Sequence, residues 1–477
     1  MNSLFILQNL RNGGKYDKTE YDFVMQYTMD APNELADESI VKLLLKFSIP
    51  SIIGMLVNGL YSIVDRIFVG RGVNSTALSG VAVTYPISNI ILAFGMLGGI
   101  GCAALVSIKL GQKKVRQAEK ILGNTFTLLI IFSLMVTFFG IIFLEPLLKL
   151  LGASKETMPY AKQFGFIILL GVVLQNMGFG LNATMRSEGD PKMAMKTMLI
   201  GAILNFIMNP IFIFVFKLGV RGSALATIVS QTVCSVWVLN YFIRGKSFLK
   251  LKKANIKLKK EFVREIVSIG MSPFAMQLAA SLITITFNKR LAYYGGDTAI
   301  GAFSLINSVA MLIFMPILGI NQGSQPIIGY NYGAKSIKRV KKALLYAVIA
   351  ATGVSIIGFL FAELFPSQII SIFNKTDKNL IKVGTRGIAI FLIMLPVVGA
   401  QAVCTNYFQA VGKAKTSMLL SLLRQVIVLL PLVIILPEFF GLDGVWVAGP
   451  CSDFISFVIT TIFIMIEMKK ISEIREA

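Results

Sequence analysis

The sequence predicts an all-α membrane protein with twelve transmembrane helices, arranged as two parallel six-helix lobes related by a pseudo-two-fold axis along the membrane normal. Three observations support this prediction. Of the 477 residues, 55% are hydrophobic and 15% are charged, and the mean hydropathy is +0.74. Apolar runs of about 20 residues, the length that crosses a bilayer, recur from Val41 to Ile466. The second half of the chain also repeats the glycine pattern of the first half at a constant spacing.

The apolar runs mostly lack the polar face that a soluble helix shows at a period of 3.6 residues. We therefore interpret them as membrane spans rather than as helices of a soluble bundle. In chain order they cover roughly residues 41–65, 80–106, 121–144, 161–184, 196–216, 222–243, 266–287, 299–328, 343–365, 383–410, 417–437 and 444–466.

The repeat has a spacing of 222 residues. Subtracting 222 places Gly323 on Gly101 and Gly333 on Gly111. Each half holds six spans, so both halves enter the membrane from the same side and the repeat is parallel. Further matches at this offset are Gly441 with Gly219, Gly444 with Gly222, Ala448 with Ala226 and Ser452 with Ser230.

The repeat and the charge runs predict five regions along the chain. These are a polar N-terminal lead at 1–38, an N-lobe at 39–243, a basic linker at 244–264, a C-lobe at 265–466 and a tail at 467–477. We expect the lead to be disordered. We also hypothesise that residues 1–28 are an upstream extension, because the segment from Met29 resembles an ordinary start.

The distribution of positive charge predicts the orientation in the membrane. Lys and Arg number 46 against 24 Asp and Glu; 32 of them fall on the side that holds both termini, and 11 fall on the other side. The positive-inside rule therefore predicts cytoplasmic N- and C-termini. The same rule and contacts with anionic lipid explain the basic charge, so we predict no nucleic-acid partner.

The residue types exclude most catalytic chemistry. The chain has no histidine, which excludes imidazole relays and His-based triads or zinc sites. The four cysteines all lie within spans without metal-like spacing, so we predict packing roles and no disulfide framework. We predict a protein that is not an enzyme and that has no cofactor.

The first span holds a carboxylate, Asp65, and a proline, Pro50, fifteen residues before it. A carboxylate within a span costs on the order of 3 kcal/mol, so a functional role is the default hypothesis; hydration near the interface is the alternative. Proline breaks one backbone hydrogen bond and permits a kink. This helix thus combines a hinge with a titratable group.

Other polar residues within spans fall into two groups. Asn205 and Asn209 stand four residues apart, so their amides share one helix face, where they could coordinate an ion or only join helices. Arg424 and Asp453 lie at comparable depth on adjacent spans, and we predict a structural ion pair, with a coupling role as the alternative.

Several segments together carry a resemblance to a known family. They resemble multidrug and toxic compound extrusion (MATE) transporters, in particular the bacterial DinF-type branch, over about residues 39–470. The most specific of them is Gln325-Pro-Ile-Ile-Gly-Tyr-Asn-Tyr-Gly333. The others are Val64-Asp65-Arg-Ile-Phe-Val-Gly70, Met185-Arg-Ser-Glu-Gly-Asp-Pro191, Asn205-Phe-Ile-Met-Asn209-Pro210, Gly222-Ser-Ala-Leu-Ala-Thr227 and Phe408-Gln-Ala-Val-Gly412.

The resemblance implies an antiporter that exports organic cations against an inward H⁺ or Na⁺ gradient. It also implies an ion-coupling site formed by Asp65, Asn205, Asn209 and Thr227, with Na⁺ at Asp65 as one possibility. This sequence departs from those relatives at Asn209, where they carry a second carboxylate, and the position 222 residues after Asp65 is Phe287. A lone carboxylate favours H⁺, because Na⁺ prefers charged oxygen ligands.

We therefore predict a secondary multidrug exporter of the bacterial cytoplasmic membrane that acts by alternating access, as a monomer. Its partners would be amphipathic, mostly cationic small molecules and the lipid bilayer. The alternatives are a lipid-linked saccharide flippase and, from another class, a membrane receptor or interaction protein. Candidate residues for the substrate cleft are Tyr61, Asn176, Met177, Phe206, Met276, Gln277 and Met311.

Overall fold

The computed structural model describes residues 33–245, 247–373 and 377–473, and these residues form helices without a strand. The hypothesis about residues 1–28 lies outside them. A short helix, Asn33–Asp37, precedes the first span. The N-lobe then follows as α1 (Ile40–Gly72), α2 (Thr76–Gly111), α3 (Val115–Ile142), α4 (Met158–Leu170 and Val172–Ser187), α5 (Pro191–Val215) and α6 (Val220–Ile243).

The C-lobe contains two very long helical stretches, each interrupted by one glycine. Lys260–Gly333 has non-helical backbone angles at Gly296, and Ala414–Glu473 has them at Gly441. These breaks divide the stretches into α7 (260–295) with α8 (297–333), and α11 (414–440) with α12 (442–473). Between them lie α9 (Ile337–Leu364) and the bent α10 (Lys378–Phe391 and Leu395–Ala410). Over the described residues, the chain therefore has the twelve predicted spans.

The backbone repeats its unusual conformations at the predicted offset. Gly219 and Gly441 have nearly the same left-handed angles, φ 56° and ψ −133° against φ 57° and ψ −135°. Lys113 and Lys335, also 222 residues apart, both have positive φ, 60° and 57°. The fourth helix of each lobe bends at its middle, by 56° in α4 and 51° in α10. The predicted internal repeat is therefore present in the structure.

The two lobes meet through close backbone contacts that obey a two-fold relation. A β carbon on Gly111 would overlap the carbonyl oxygen of Tyr330, and one on Gly333 would overlap that of Ile108, which is the same contact with the lobes exchanged. These contacts lie at the end of the bundle where α1 begins and α12 ends, which we call the terminal face. Glycine is required there because only a residue without a side chain lets the backbones approach so closely.

The buried core is shared by the lobes at the terminal face and divided at the opposite face. One cluster of buried apolar residues draws on both lobes, from Leu35 to Leu423. Two further clusters each belong to one lobe, one around Leu144 and Val172 and the other around Phe287 and Trp446. The lobes therefore share one core near the terminal face and have separate cores towards the other side, where we expect the cleft between α1–α6 and α7–α12.

The linker between α6 and α7 is docked on the N-lobe by buried acidic residues at the terminal face. Glu188, which follows α4, is 5% exposed and accepts hydrogen bonds from the Ser247 hydroxyl (2.8 Å) and the Leu249 amide (3.1 Å). Glu119 on α3 forms an ion pair with Lys252 (2.9 Å). Burial raises the pKa of Glu188 to about 7, against the lowering effect of these hydrogen bonds.

The glycine contacts can be tested by adding a single methyl group. A β carbon on Gly270 would overlap the Leu97 carbonyl, whereas one on Gly353 would meet open space. Both glycines lie inside helices. We expect Gly270→Ala to destabilise the protein by about 1–3 kcal/mol through overpacking, and Gly353→Ala to leave it unchanged or slightly more stable. Thermal unfolding in detergent measures both, and equal melting temperatures would contradict the close contact.

The raised pKa of Glu188 predicts a pH-dependent stability. The folded protein keeps a proton up to about pH 7, whereas the unfolded chain loses it near the ordinary value of 4.5. The contribution of Glu188 to the free energy of unfolding is therefore fully present below pH 4.5 and is lost as the pH rises through 7. We expect Glu188→Gln, which cannot ionise, to be more stable than the wild type at pH 8 by roughly 1–3 kcal/mol, and the gain to shrink at pH 5.

The control for this prediction is Glu156→Gln, since Glu156 is exposed. Melting temperatures of the three proteins at pH 5 and pH 8 give the comparison. If Glu188→Gln and the wild type differ in melting temperature by the same amount at both pH values, the raised pKa of Glu188 is contradicted.

Candidate ion-coupling site

The predicted site lies where α1, α5 and α6 pack side by side. Asn205 and Asn209 occupy successive turns of α5, just before Pro210 and a π-helical turn, Ile211–Val215. Thr227 lies on the face of α6 that is turned towards them, and Asp65 lies on α1 two turns before its end at Gly72. Spacing by four residues aligns the polar groups along each helix.

One chain of hydrogen bonds connects all four predicted residues. The Asn209 amide donates to Asp65 Oδ1 (2.8 Å) and to Asn205 Oδ1 (2.7 Å). The Asn205 amide donates to the Thr227 hydroxyl (3.4 Å), which also lies 3.2 Å from the hydroxyl of Tyr61. Asp65 Oδ1 accepts a second bond from the Ser223 hydroxyl (2.7 Å). The structure thus brings Asp65, Asn205, Asn209 and Thr227 into one cluster that bridges three helices.

The cluster is buried and rich in oxygen atoms. Asn209, Asn205 and Ser223 are 0%, 1% and 0% exposed. The Asn209 amide nitrogen donates to two acceptors, whereas its carbonyl oxygen is buried without a hydrogen-bond partner among the described residues. An unsatisfied oxygen beside a carboxylate suits a bound proton or a small cation. The described residues contain no group of three or more His, Cys, Asp or Glu that could hold a metal ion.

Ser223 belongs to the cluster, although it was not among the predicted site residues. It stands four residues before Thr227, so both hydroxyls lie on the same face of α6. That spacing, the same as between Asn205 and Asn209, is the sequence feature that could have identified Ser223. A serine within a span usually bonds to its own helix, which is why the residue did not stand out.

The cleft candidates lie in different environments. Phe206 is 56% exposed and Met311 is 51% exposed, while Tyr61 and Met276 are half-buried. Gln277 on α7 donates to the Asn89 side chain on α2 (3.1 Å), so it joins the two lobes. These side chains are therefore not enclosed by the packing of either lobe.

Two cleft candidates are enclosed within the N-lobe instead. Asn176 is 1% exposed and donates to the Ser133 hydroxyl (3.0 Å), and Met177 is 4% exposed. Asn176 also lies against Gly95, where a β carbon would come within 2.7 Å of its side-chain oxygen. Both side chains are therefore enclosed in this conformation, and Asn176 packs against α2 and α3.

The ion pair between Arg424 and Asp453 is present. Arg424 Nε donates to Asp453 Oδ1 at 2.7 Å, and the guanidinium also lies 5.5 Å from the centre of the Phe314 ring. Arg424 lies in a π-helical segment, Leu423–Leu429, and the Ser452 hydroxyl donates to its carbonyl (2.6 Å). The pair therefore joins α8, α11 and α12 within the C-lobe.

Comparison with known proteins identifies relatives along most of the chain. The MatE family model matches residues 50–211 and 273–435, one stretch in each lobe. Multidrug export protein MepA of Staphylococcus aureus (strain MRSA252) is 27% identical over 407 residues, which cover 85% of this chain and 89% of MepA.

Two solved structures have the same architecture. The MATE multidrug transporter DinF-BH, solved as a complex, is 37% identical, with a TM-score of 0.85 and coverage of 90% of this chain and 96% of its own. A MATE in complex with MaL6 is 22% identical, with a TM-score of 0.87 and coverage of 92% and 99%. The second comparison, at this lower identity, supports the fold.

The hydrogen bond from Ser223 to Asp65 can be tested against a matched serine on the same helix. Ser230, two turns further along α6, donates only to the Ala226 carbonyl of its own helix (2.8 Å) among the contacts described. We expect Ser223→Ala to cost about 1–2 kcal/mol at neutral pH and Ser230→Ala to cost under about 0.5 kcal/mol. Thermal unfolding of both variants measures the difference; similar melting temperatures would show that Ser223 does not hold Asp65.

Proposed function

This chain belongs to the MatE family and is a multidrug efflux transporter, and we propose that it works as a secondary antiporter that exports amphipathic organic cations against an inward H⁺ gradient. The family match in both lobes and the relationship to MepA and DinF-BH support the transport of drugs. The coupling ion and the sequence of steps rest on the site around Asp65.

The observation that carries the proposal is the hydrogen-bond network that ties Asp65 on α1 to α5 and α6. An ionised carboxylate only accepts hydrogen bonds, so Asn209 and Ser223 both donate to it. Bonds to a charged group are roughly twice as strong as bonds between neutral groups. Proton uptake by Asp65 therefore weakens the attachment of α1 to its two neighbours.

The loosened helix can bend because Pro50 interrupts its backbone hydrogen bonding. Pro50 lies about 22 Å before Asp65 along the axis, at 1.5 Å per residue. We infer that protonation of Asp65 favours a bent α1 and deprotonation favours the straight helix. A ligand shifts a conformational equilibrium only if it binds the two states with different affinity. In this proposal the proton binds more tightly to the bent state of α1 than to the straight state. Inward proton flow would thus change which side of the cleft is open.

The presence of an amide at position 209 supports H⁺ rather than Na⁺ as the coupling ion. Hard cations are best held by several oxygen ligands that include carboxylates. Here Asp65 is the carboxylate of the cluster, and the other oxygens belong to amides and hydroxyls. Na⁺ at Asp65, with oxygens of Asn205, Asn209 and Thr227, is the alternative within the same antiport scheme.

The cleft offers a surface that suits amphipathic cations. Phe206 and Tyr61 present aromatic rings that attract a cation, and Met276 and Met311 present flexible side chains that adapt to ligands of different shape. Asp65 lies beside Tyr61 through the hydrogen-bond network. We propose that the cargo binds here in the bacterial cytoplasmic membrane, with the terminal face and both termini on the cytoplasmic side, and that one chain is the transporting unit.

A flippase for lipid-linked saccharides would need free positive charge in the cleft to hold a pyrophosphate. The two arginines within the predicted C-lobe spans are instead paired with carboxylates, Arg386 with Asp443 and Arg424 with Asp453. An arginine that is neutralised in this way contributes little to binding a second anion. The pairing therefore favours drug export over the flippase.

Removal of the charge at Asp65 tests the mechanism. We expect Asp65→Asn to fold normally, because the amide oxygen can still accept from Asn209 and Ser223, and to lose drug efflux by at least about tenfold. The matched control is Asp297→Asn, an exposed aspartate in the C-lobe, which we expect to transport like the wild type.

The assay is efflux of a fluorescent cationic dye from vesicles, with a pH gradient and a Na⁺ gradient imposed separately. We expect the pH gradient to drive efflux by the wild type and the control. Normal proton-driven efflux by Asp65→Asn would refute the role of Asp65, and efflux driven by Na⁺ alone would replace H⁺ with Na⁺ as the coupling ion.

A further inference from the structure

The segment before the first helix of each lobe lies on the other lobe. Residues 33–38 precede α1, and the equivalent residues after adding 222, 255–260, lead into α7. We call them the first and second straps. The sequence predicts that the first strap is disordered with the rest of the lead, and the structure instead shows the helix Asn33–Asp37 with Leu35 only 1% exposed.

The first strap is bonded to the C-lobe through its backbone. Arg339, in the first turn of α9, donates to the carbonyls of Leu35 (3.2 Å) and Glu38 (2.7 Å). Asn331, near the end of α8, donates to the Leu35 carbonyl as well (3.2 Å) and is itself held by Arg339 Nε (2.9 Å). The bonds from Arg339 have a charged donor, so they are stronger than average.

The second strap is bonded to the N-lobe, on α3. Asn124 on α3 donates to the Asn255 carbonyl (3.3 Å) and accepts from the Lys259 amide (2.7 Å). Thr127, on the next turn of α3, donates to the Ile256 carbonyl (2.7 Å). The helices that hold the straps, α9 and α3, are equivalents in the repeat. The contacts fall on different turns, since Asn124 and Thr127 align with Tyr346 and Ile349 rather than with Arg339.

Both straps cross the boundary that must open when the terminal face becomes accessible. The first strap is continuous with α1 of the N-lobe and bonded to the C-lobe, and the second is continuous with α7 of the C-lobe and bonded to the N-lobe. The glycine contacts at Gly111 and Gly333 lie at the same face. We propose that the two straps hold the terminal face closed and must release in each transport cycle, with Arg339 and Thr127 as positioning residues that set the balance between the access states.

This role of the straps rests on the alternating access of the proposed function. It adds which contacts hold the terminal face closed. Proton coupling at Asp65 does not enter it, because the straps lie at the other end of α1. Loss of hydrogen bonds present only in the closed state must shift the population towards the open state, by about tenfold if the bonds have ordinary strength.

The experiment measures the distance across the terminal face by spin labels in the full-length protein. Gln112 and Ala334 are exposed equivalents at the ends of α2 and α8, with the same backbone angles, φ −76° and ψ 0°. Labelled cysteines there, in a background with Cys404 and Cys451 replaced by serine, report whether the lobes approach or separate at this face.

We expect Arg339→Ala and Thr127→Val each to raise the population with the longer distance, by about tenfold and about threefold, and the combined variant to raise it further. The matched controls are Lys338→Ala, the exposed neighbour of Arg339, and Thr137→Val, whose hydroxyl donates to the Leu169 carbonyl (2.8 Å) within the N-lobe. Melting temperatures check that each variant is folded.

Suppose that the wild type shows two distances as drug and pH are varied. Unchanged distances in folded Arg339→Ala and Thr127→Val would then overturn the strap proposal, and the proposed antiport would stand. Equal shifts in the variants and their controls would overturn it as well. A single distance in every protein and every condition would contradict both the straps and alternating access.

Discussion

The structure depends on the close backbone contact between the lobes at the terminal face. Gly111 and Gly333, with Gly270 further along, let helices from the two lobes approach until main-chain atoms touch. Lipid provides no hydrophobic force between helices, so such packing and the hydrogen bonds beside it must hold the lobes together. The shared core forms around this contact, and the separate cores beyond it define the cleft.

Helix α1 connects this contact to the candidate site. Its beginning is bonded to the C-lobe through the first strap, and its far end is bonded to α5 and α6 through Asp65. Pro50 lies between these two attachments. Helix α7 of the C-lobe also follows a strap and contains a proline, Pro273, but Phe287 stands where α1 has Asp65. Phe287 is 2% exposed and stacks on Phe303 with ring centres 4.9 Å apart. The repeat is therefore structural, whereas the acidic site belongs to one lobe.

Much of this could be predicted from the sequence because lipid imposes simple rules. Apolar length indicated the spans, and the glycine spacing indicated the repeat. The cluster of Asp65, Asn205, Asn209 and Thr227 followed from helical spacing together with family resemblance. Ser223 was missed because a serine within a span usually bonds to its own helix. The straps could not be predicted, since the bond between Asn331 and Leu35 joins residues 296 positions apart and depends on polar segments without a periodic pattern.

The exchanged contacts between Gly111 and Tyr330 and between Gly333 and Ile108 have an evolutionary consequence. An interface in which each side presents the same patch is the interface of a two-fold homodimer. Two copies of a six-helix ancestor, inserted in the same orientation, would meet through these surfaces and exchange their leading segments as swapped arms. Gene fusion would then need only a connecting linker, and the interface could exist before the fusion.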